Sequence, residues 1–74
     1  MEIIQLREDY IKLGQALKAA GLVGSGVEAK IVISEGLVKV NGKVEMQRGK
    51  KLVHGDVVSF ENETIKIEKW LLSL

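Results

Sequence analysis

Hydrophobic and polar positions change their period near Gly36. Upstream of it, Leu13, Ala16, Leu17 and Ala20 recur at helical spacing, while Lys12, Gln15 and Lys18 fall on the other side. The spacing predicts a first helix from Tyr10 to Ala20, capped by Asp9 and ended by Gly21. A second helix is announced by Ser25 and Glu28, residue types that form a capping box in which each side chain bonds the other's backbone N–H. Ala29, Val32 and Ile33 form its apolar face, Val27 and Ile31 widen that face, and Lys30 and Ser34 share the opposite side. Gly36 ends it.

Beyond Gly36 the pattern alternates, as strands require. Val38-Lys39-Val40 leads into Asn41-Gly42, two residues that tolerate positive φ, and Lys43-Val44 starts the return strand of a hairpin. The run Gln47-Arg48-Gly49-Lys50-Lys51 is too charged for a buried strand and predicts an exposed loop or edge. His54-Gly55-Asp56 reads as a turn. Val57–Phe60 and Thr64–Glu68 are two further strands, joined through Glu61-Asn62-Glu63, with Ile65 and Ile67 facing inward. Glu2–Leu6 alternates weakly and fits an edge strand. The apolar tail Trp70-Leu71-Leu72-Ser73-Leu74 reads as a cover for one end of the core, with a subunit contact as the competing role. Together these elements predict an α+β fold, two short helices packed on a small, mostly antiparallel sheet with a β-hairpin.

Seventy-four residues, 46% of them hydrophobic and 28% charged, fit a single globular domain spanning 1–74. Without cysteine there is no disulfide framework, thiolate metal site or cysteine nucleophile, and a reducing cytoplasm is the expected compartment. No apolar run is long enough for a membrane span, and the N-terminus lacks the pattern of an export signal. The net charge of +1 conceals a segregation. Residues 12–51 carry eight Lys and Arg against three Glu, whereas the segments on either side are each net acidic. Such a basic island has a polyanion as its natural partner.

Catalytic chemistry finds little support. His54 is the one histidine and lies beside a turn glycine, and Glu61 and Glu63 flank a hairpin turn open to solvent rather than a cleft. Neither a transition-metal ligand set nor a phosphate-cradling glycine loop before a helix is present, so no catalytic residue, metal or cofactor is assigned. The cations remain. If the helices pack on the sheet, several of Lys12, Lys30, Lys39, Lys43, Arg48, Lys50 and Lys51 converge on one side and contact phosphates. Aromatic residues make up 4% of the chain, which favours reading the shape and backbone of folded RNA over stacking on single strands.

Lys12-Leu13-Gly14-Gln15-Ala16-Leu17, Gly21-Leu22, Ser25, Ala29-Lys30, Ile33, Gly36, Val38-Lys39-Val40-Asn41-Gly42 and Gly55-Asp56-Val57-Val58 resemble the S-four RNA-binding domain, over residues 12–60. Tyr10-Ile11-Lys12-Leu13-Gly14-Gln15 and Arg48-Gly49-Lys50-Lys51-Leu52 are further similar to its small stand-alone bacterial subfamily of the YaaA and YbcJ type. The resemblance implies an αL-shaped helix pair against a small sheet and a free-standing, non-catalytic protein that binds ribosomal RNA or tRNA; with the tail read as a core cover, a monomer is expected. It implies RNA contacts for Lys12, Lys30, Lys39, Lys43 and the Arg48 to Lys51 segment, and places Ser25 of the matching motif at the same site. Gly14 stands where the wider family often has aspartate, and Gly26 where it usually has arginine. Since lysine point charges do not replace a bidentate arginine, weight moves to Arg48, Lys50 and Lys51.

Two other readings are distinct. Val40-Asn41-Gly42 with Gly55-Asp56-Val57-Val58 is also similar to β-grasp sulfur carriers, but those end in Gly-Gly, whereas this chain opens with two helices and ends Leu72-Ser73-Leu74. Alternatively the chain is a protein-interaction module or ribosome-associated adaptor that does not read RNA directly, its lysines serving solubility.

Overall fold

The computed structural model describes residues 1–69. In chain order their elements are β1 (Glu2–Leu6), β2 (Ile11–Lys12), α1 (Leu13–Ala19), α2 (Gly26–Ser34), β3 (Val38–Val40), β4 (Lys43–Val44), β5 (Lys51–Leu52), β6 (Val57–Phe60) and β7 (Glu63–Lys69). Five strands form one sheet in the order β1-β7-β6-β3-β4, and β2 pairs with β5 in a separate two-stranded ladder. Every neighbouring pair is antiparallel except β1 with β7, which is parallel. The fold is therefore the α+β arrangement expected from the change of period.

Alternation sets which face of the sheet meets the helices. Val38 and Val40 of β3, Val58 and Phe60 of β6, and Ile65 and Ile67 of β7 point into one core with Leu13, Ala16 and Leu17 of α1 and Ala29 and Ile33 of α2. Burying each such valine, leucine, isoleucine or phenylalanine side chain contributes about 1.5–3 kcal/mol, and this apolar contact fixes the helices on the sheet. The other face carries Lys39, Ser59, Thr64 and Lys66, the alternate residues of the same strands.

The hairpin and the later turn are tied together by side chains. Asn41 and Gly42 adopt φ of +53° and +85°, which a two-residue hairpin loop of this twist requires. The Asn41 amide donates to Asp56 Oδ1 at 2.9 Å, and Asn41 Oδ1 accepts from the Val57 N–H at 2.9 Å. Asp56 Oδ2 accepts from the Val53 N–H, also at 2.9 Å. The Val-Asn-Gly and Gly-Asp elements thus hold β3 and β6 in register, and their polar atoms are committed to architecture.

Several expectations need correction. The first helix begins at Leu13, not Tyr10, because Ile11 and Lys12 pair with Leu52 and Lys51 and remain extended. Asp9 does not cap it. Its carboxylate instead meets the Lys69 ammonium at 2.6 Å, while Gln15 Oε1 accepts from the Lys12 N–H at 3.3 Å. The expected capping box is half formed. Ser25 Oγ accepts from the Glu28 N–H, but the Glu28 carboxylate reaches one residue further back, to the Gly24 N–H at 2.6 Å. Val27 and Ile31 do not widen the buried face of α2, being 69% and 49% exposed. They lie on the flank that turns away from both α1 and the sheet. The last hairpin loop is Glu61-Asn62, with Glu63 already in β7 opposite Phe60. The tail Trp70–Leu74 lies outside the described residues.

Candidate nucleic-acid interface

Arg48 lies far from α1 in sequence but not in space. The segment leading into β5 runs back across the start of the helix, where the Leu13 N–H donates to the Lys50 carbonyl at 2.8 Å and the Gly14 N–H to the Arg48 carbonyl at 3.1 Å. These bonds satisfy two N–H groups that a helix start otherwise leaves without intrahelical partners. They also place an arginine beside the polar side of α1. A groove of about 300 Å³ results, lined by Lys12 at the end of β2, Gln15 and Lys18 on α1, Gly26 at the start of α2, and Arg48 with Gly49 from the loop. Gly14 lies on its floor.

Lys12, Gln15 and Lys18 are spaced by three residues, which puts them on one side of a short helix, and all three are exposed. Lys18 was not among the site residues expected from sequence, although its spacing from Lys12 carried the signal. Arg48 was expected as a contact residue, but its approach to α1, which completes the groove, is set by long-range backbone bonds. Among the described residues, the ion pairs are Lys66–Glu68 and Lys69–Asp9, both outside the basic island. The groove cations therefore keep their charge available for an anion.

The remaining candidates are distributed around this groove or away from it. Lys50 and Lys43 border a neighbouring recess together with Glu45 and Asp56, so that recess is of mixed charge. Lys51 sits over the Tyr10 ring at 4.8 Å from its centroid, a cation–π contact that holds the ammonium beside the β2–β5 ladder. Lys30 is exposed on α2. Ser25 caps α2 through its hydroxyl oxygen. Lys39 is on the sheet face opposite the helices, since its neighbours Val38 and Val40 are the buried ones. The basic island of the sequence is accordingly divided between two sides of the molecule.

His54 serves a structural bond, its Nδ1 accepting from the Lys69 N–H at 3.0 Å. Among the described residues no group of three or more His, Cys, Asp or Glu side chains is arranged to hold a metal ion. No described helix is long and apolar enough to cross a membrane.

Known proteins resemble this chain in sequence and in fold. YbcJ of Escherichia coli (strain K12), which bears the provisional name of an RNA-binding protein, is 39% identical over 61 residues, covering 82% of this chain and 87% of YbcJ. The Bacillus subtilis (strain 168) protein named "Probable ribosome maturation protein RlbA" is 45% identical over 58 residues, covering 78% of this chain and 82% of RlbA. The solution structure of E. coli YbcJ, described as revealing an αL motif involved in RNA binding, superposes with a TM-score of 0.71 at 38% identity, covering 92% of this chain and 87% of that one. The S4 domain family model matches residues 4–68, nearly all of the described chain, and with these relatives it shows that the protein belongs to the S4 domain family.

Proposed function

We propose that this protein is a non-catalytic, cytoplasmic RNA-binding protein that recognises structured RNA, ribosomal RNA or tRNA, through phosphate contacts in the groove between α1, the start of α2 and the Arg48 loop. The observation that carries this reading is the grouping of Lys12, Lys18 and Arg48, drawn from two distant segments, around one groove and without ion-pair partners among the described residues. Three cations at one concave site suit a phosphodiester backbone, and Arg48 supplies the one guanidinium able to grip a phosphate with two donors. Lys50, Lys51, Lys30 and Lys43 extend the contact at its margins, and Ser25 acts by holding the start of α2 beside the groove. The RNA-binding name of YbcJ, the RNA-binding motif of its structure and the ribosome-maturation name of RlbA support the same class of partner.

The test is a salt titration of binding to a folded ribosomal RNA fragment and to an unstructured oligomer of equal length. Neutralising about four phosphates gives a slope of log affinity against log salt of roughly −3 to −4. The folded fragment binds more tightly, because Tyr10 is the one exposed aromatic side chain among the described residues and offers little for stacking. A flat titration refutes phosphate recognition, and equal affinities refute the preference for folded RNA.

A further inference from the structure

An ideal Cβ placed on Gly14 would stand 2.7 Å from Arg48 Cγ and 3.2 Å from Arg48 Cδ. Real Cβ atoms essentially never stand at the shorter of these distances, so the aliphatic stem of Arg48 occupies the space a side chain at position 14 would take. Gly14 is itself buried in the first turn of α1, and no positive φ accounts for glycine there. The helix would be more stable with alanine, by about 1 kcal/mol of intrinsic propensity. Close approach is the remaining physical reason for this residue type.

We propose that Gly14 is a positioning residue for RNA recognition: it is the seat on which the Arg48 stem lies, and the seat aims the guanidinium into the groove. The inference rests on the groove being the RNA site and adds which residue orders its arginine. Two features make the seat selective. The Gly14 N–H to Arg48 carbonyl bond fixes the loop backbone over the helix, so the loop cannot lift away from an added methyl without losing that bond and the Leu13 to Lys50 bond beside it. Arg48 also has no ion-pair partner among the described residues to hold it otherwise. An arginine ordered before binding loses less conformational entropy on contact than one that must first be immobilised.

The experiment compares wild type, Gly14→Ala, Arg48→Ala and the double variant. The folded ribosomal RNA fragment is the ligand, and the Arg48 Nε–H resonance of the RNA-free protein is read by NMR. Gly14→Ala is expected to weaken binding about as much as Arg48→Ala, on the order of tenfold, and each to reduce the salt slope by about one contact, roughly 0.7–0.9. The double variant should bind no more weakly than Arg48→Ala alone, because both changes remove the same contact. It should melt no lower than Arg48→Ala, since alanine at 48 has no Cγ to meet the new methyl. In the RNA-free protein Gly14→Ala should shift and sharpen the Arg48 Nε–H signal as the stem leaves its seat.

Wild-type affinity and slope in Gly14→Ala would overturn the proposal, as would losses that multiply in the double variant. So would misfolding of Gly14→Ala that persists with Arg48→Ala, which would make the glycine a requirement of the fold alone. If wild type binds neither RNA while the Arg48 resonance still responds to Gly14→Ala, the RNA assignment fails and the seat stands. An unresponsive resonance in a protein that binds RNA sinks the seat and leaves the assignment intact.

Discussion

The chain on the two sides of Leu52 shows opposite uses of polar residues. Before it, the Gln47–Lys51 segment bonds through its backbone, with Leu13, Gly14 and its own turn, and leaves Arg48 and Lys50 projecting outward. After it, the His54–Asp56 turn spends its side chains inward. Asp56 takes bonds from Asn41 and Val53, and His54 takes one from the Lys69 N–H. Both segments contain glycine and charge, and in sequence they look alike. The difference teaches that a polar side chain is available to a ligand when the backbone has already secured its segment, and is unavailable when the segment depends on it.

The largest effect that would break this contrast is on binding. Lys12→Ala, Lys18→Ala and Arg48→Ala combined should lower affinity for folded RNA by on the order of 100-fold and flatten the salt slope by two or more contacts. Stability by urea denaturation should stay within about 0.5 kcal/mol, since all three side chains are exposed. A loss of stability that matches the loss of affinity would erase the distinction between the two segments.

Next comes the inward-facing turn. Asp56→Ala removes two hydrogen bonds and should cost about 1–2 kcal/mol of folding stability in a denaturant titration, while the folded fraction keeps its RNA affinity. Slightly smaller is Gly42→Ala, about 1 kcal/mol, because φ of +85° strains any residue with a Cβ. Its melting temperature tests whether the hairpin turn, rather than the Asn41–Asp56 lock, sets the register.

A charge on the opposite face of the sheet should matter little. Lys39→Ala is expected to change RNA affinity by less than about twofold at 0.1 M salt, where salt screens an exposed charge that does not touch the RNA. The same measurement on Lys18→Ala should give a clear loss, and equal effects would mean that total charge, not the groove, governs binding.

The smallest effect concerns acid. Its hydrogen bond and charge interaction with Lys69 hold the Asp9 carboxyl below the usual carboxylate range. A lowered folded pKa stabilises the fold at pH values above the ordinary value and loses that contribution as pH falls through the lowered one. Wild type should therefore melt slightly above Asp9→Asn near neutral pH, and the gap should close in acid. Asp9 is largely exposed, so solvent screens the pair and the difference is small.

What could be read in the sequence and what could not divides along range. The second helix, the Asn41-Gly42 hairpin and the inward face of β7 follow from periodicity and turn chemistry, which depend on residues a few positions apart. The start of the first helix did not, because Tyr10–Lys12 carries helical spacing while the Ile11–Lys12 backbone is claimed by Leu52 and Lys51. Val27 and Ile31 misled for a related reason: being apolar does not place a residue on the side that meets a neighbour, and α2 turns that flank to solvent.

The sequence by itself determined the α+β class, the core-facing Ile65 and Ile67 and the existence of a basic island, since each is written in local spacing or in the order of charges. Tertiary structure alone decided which cations act together. Lys39 and Lys43 are neighbours on one hairpin, yet alternation and pairing send them to opposite faces of the sheet. Arg48 is far from Gly14 along the chain, yet two backbone bonds and the absence of a single Cβ bring it into the groove with Lys12 and Lys18. Charge order is a property of the chain, whereas convergence depends on packing that joins segments remote in sequence.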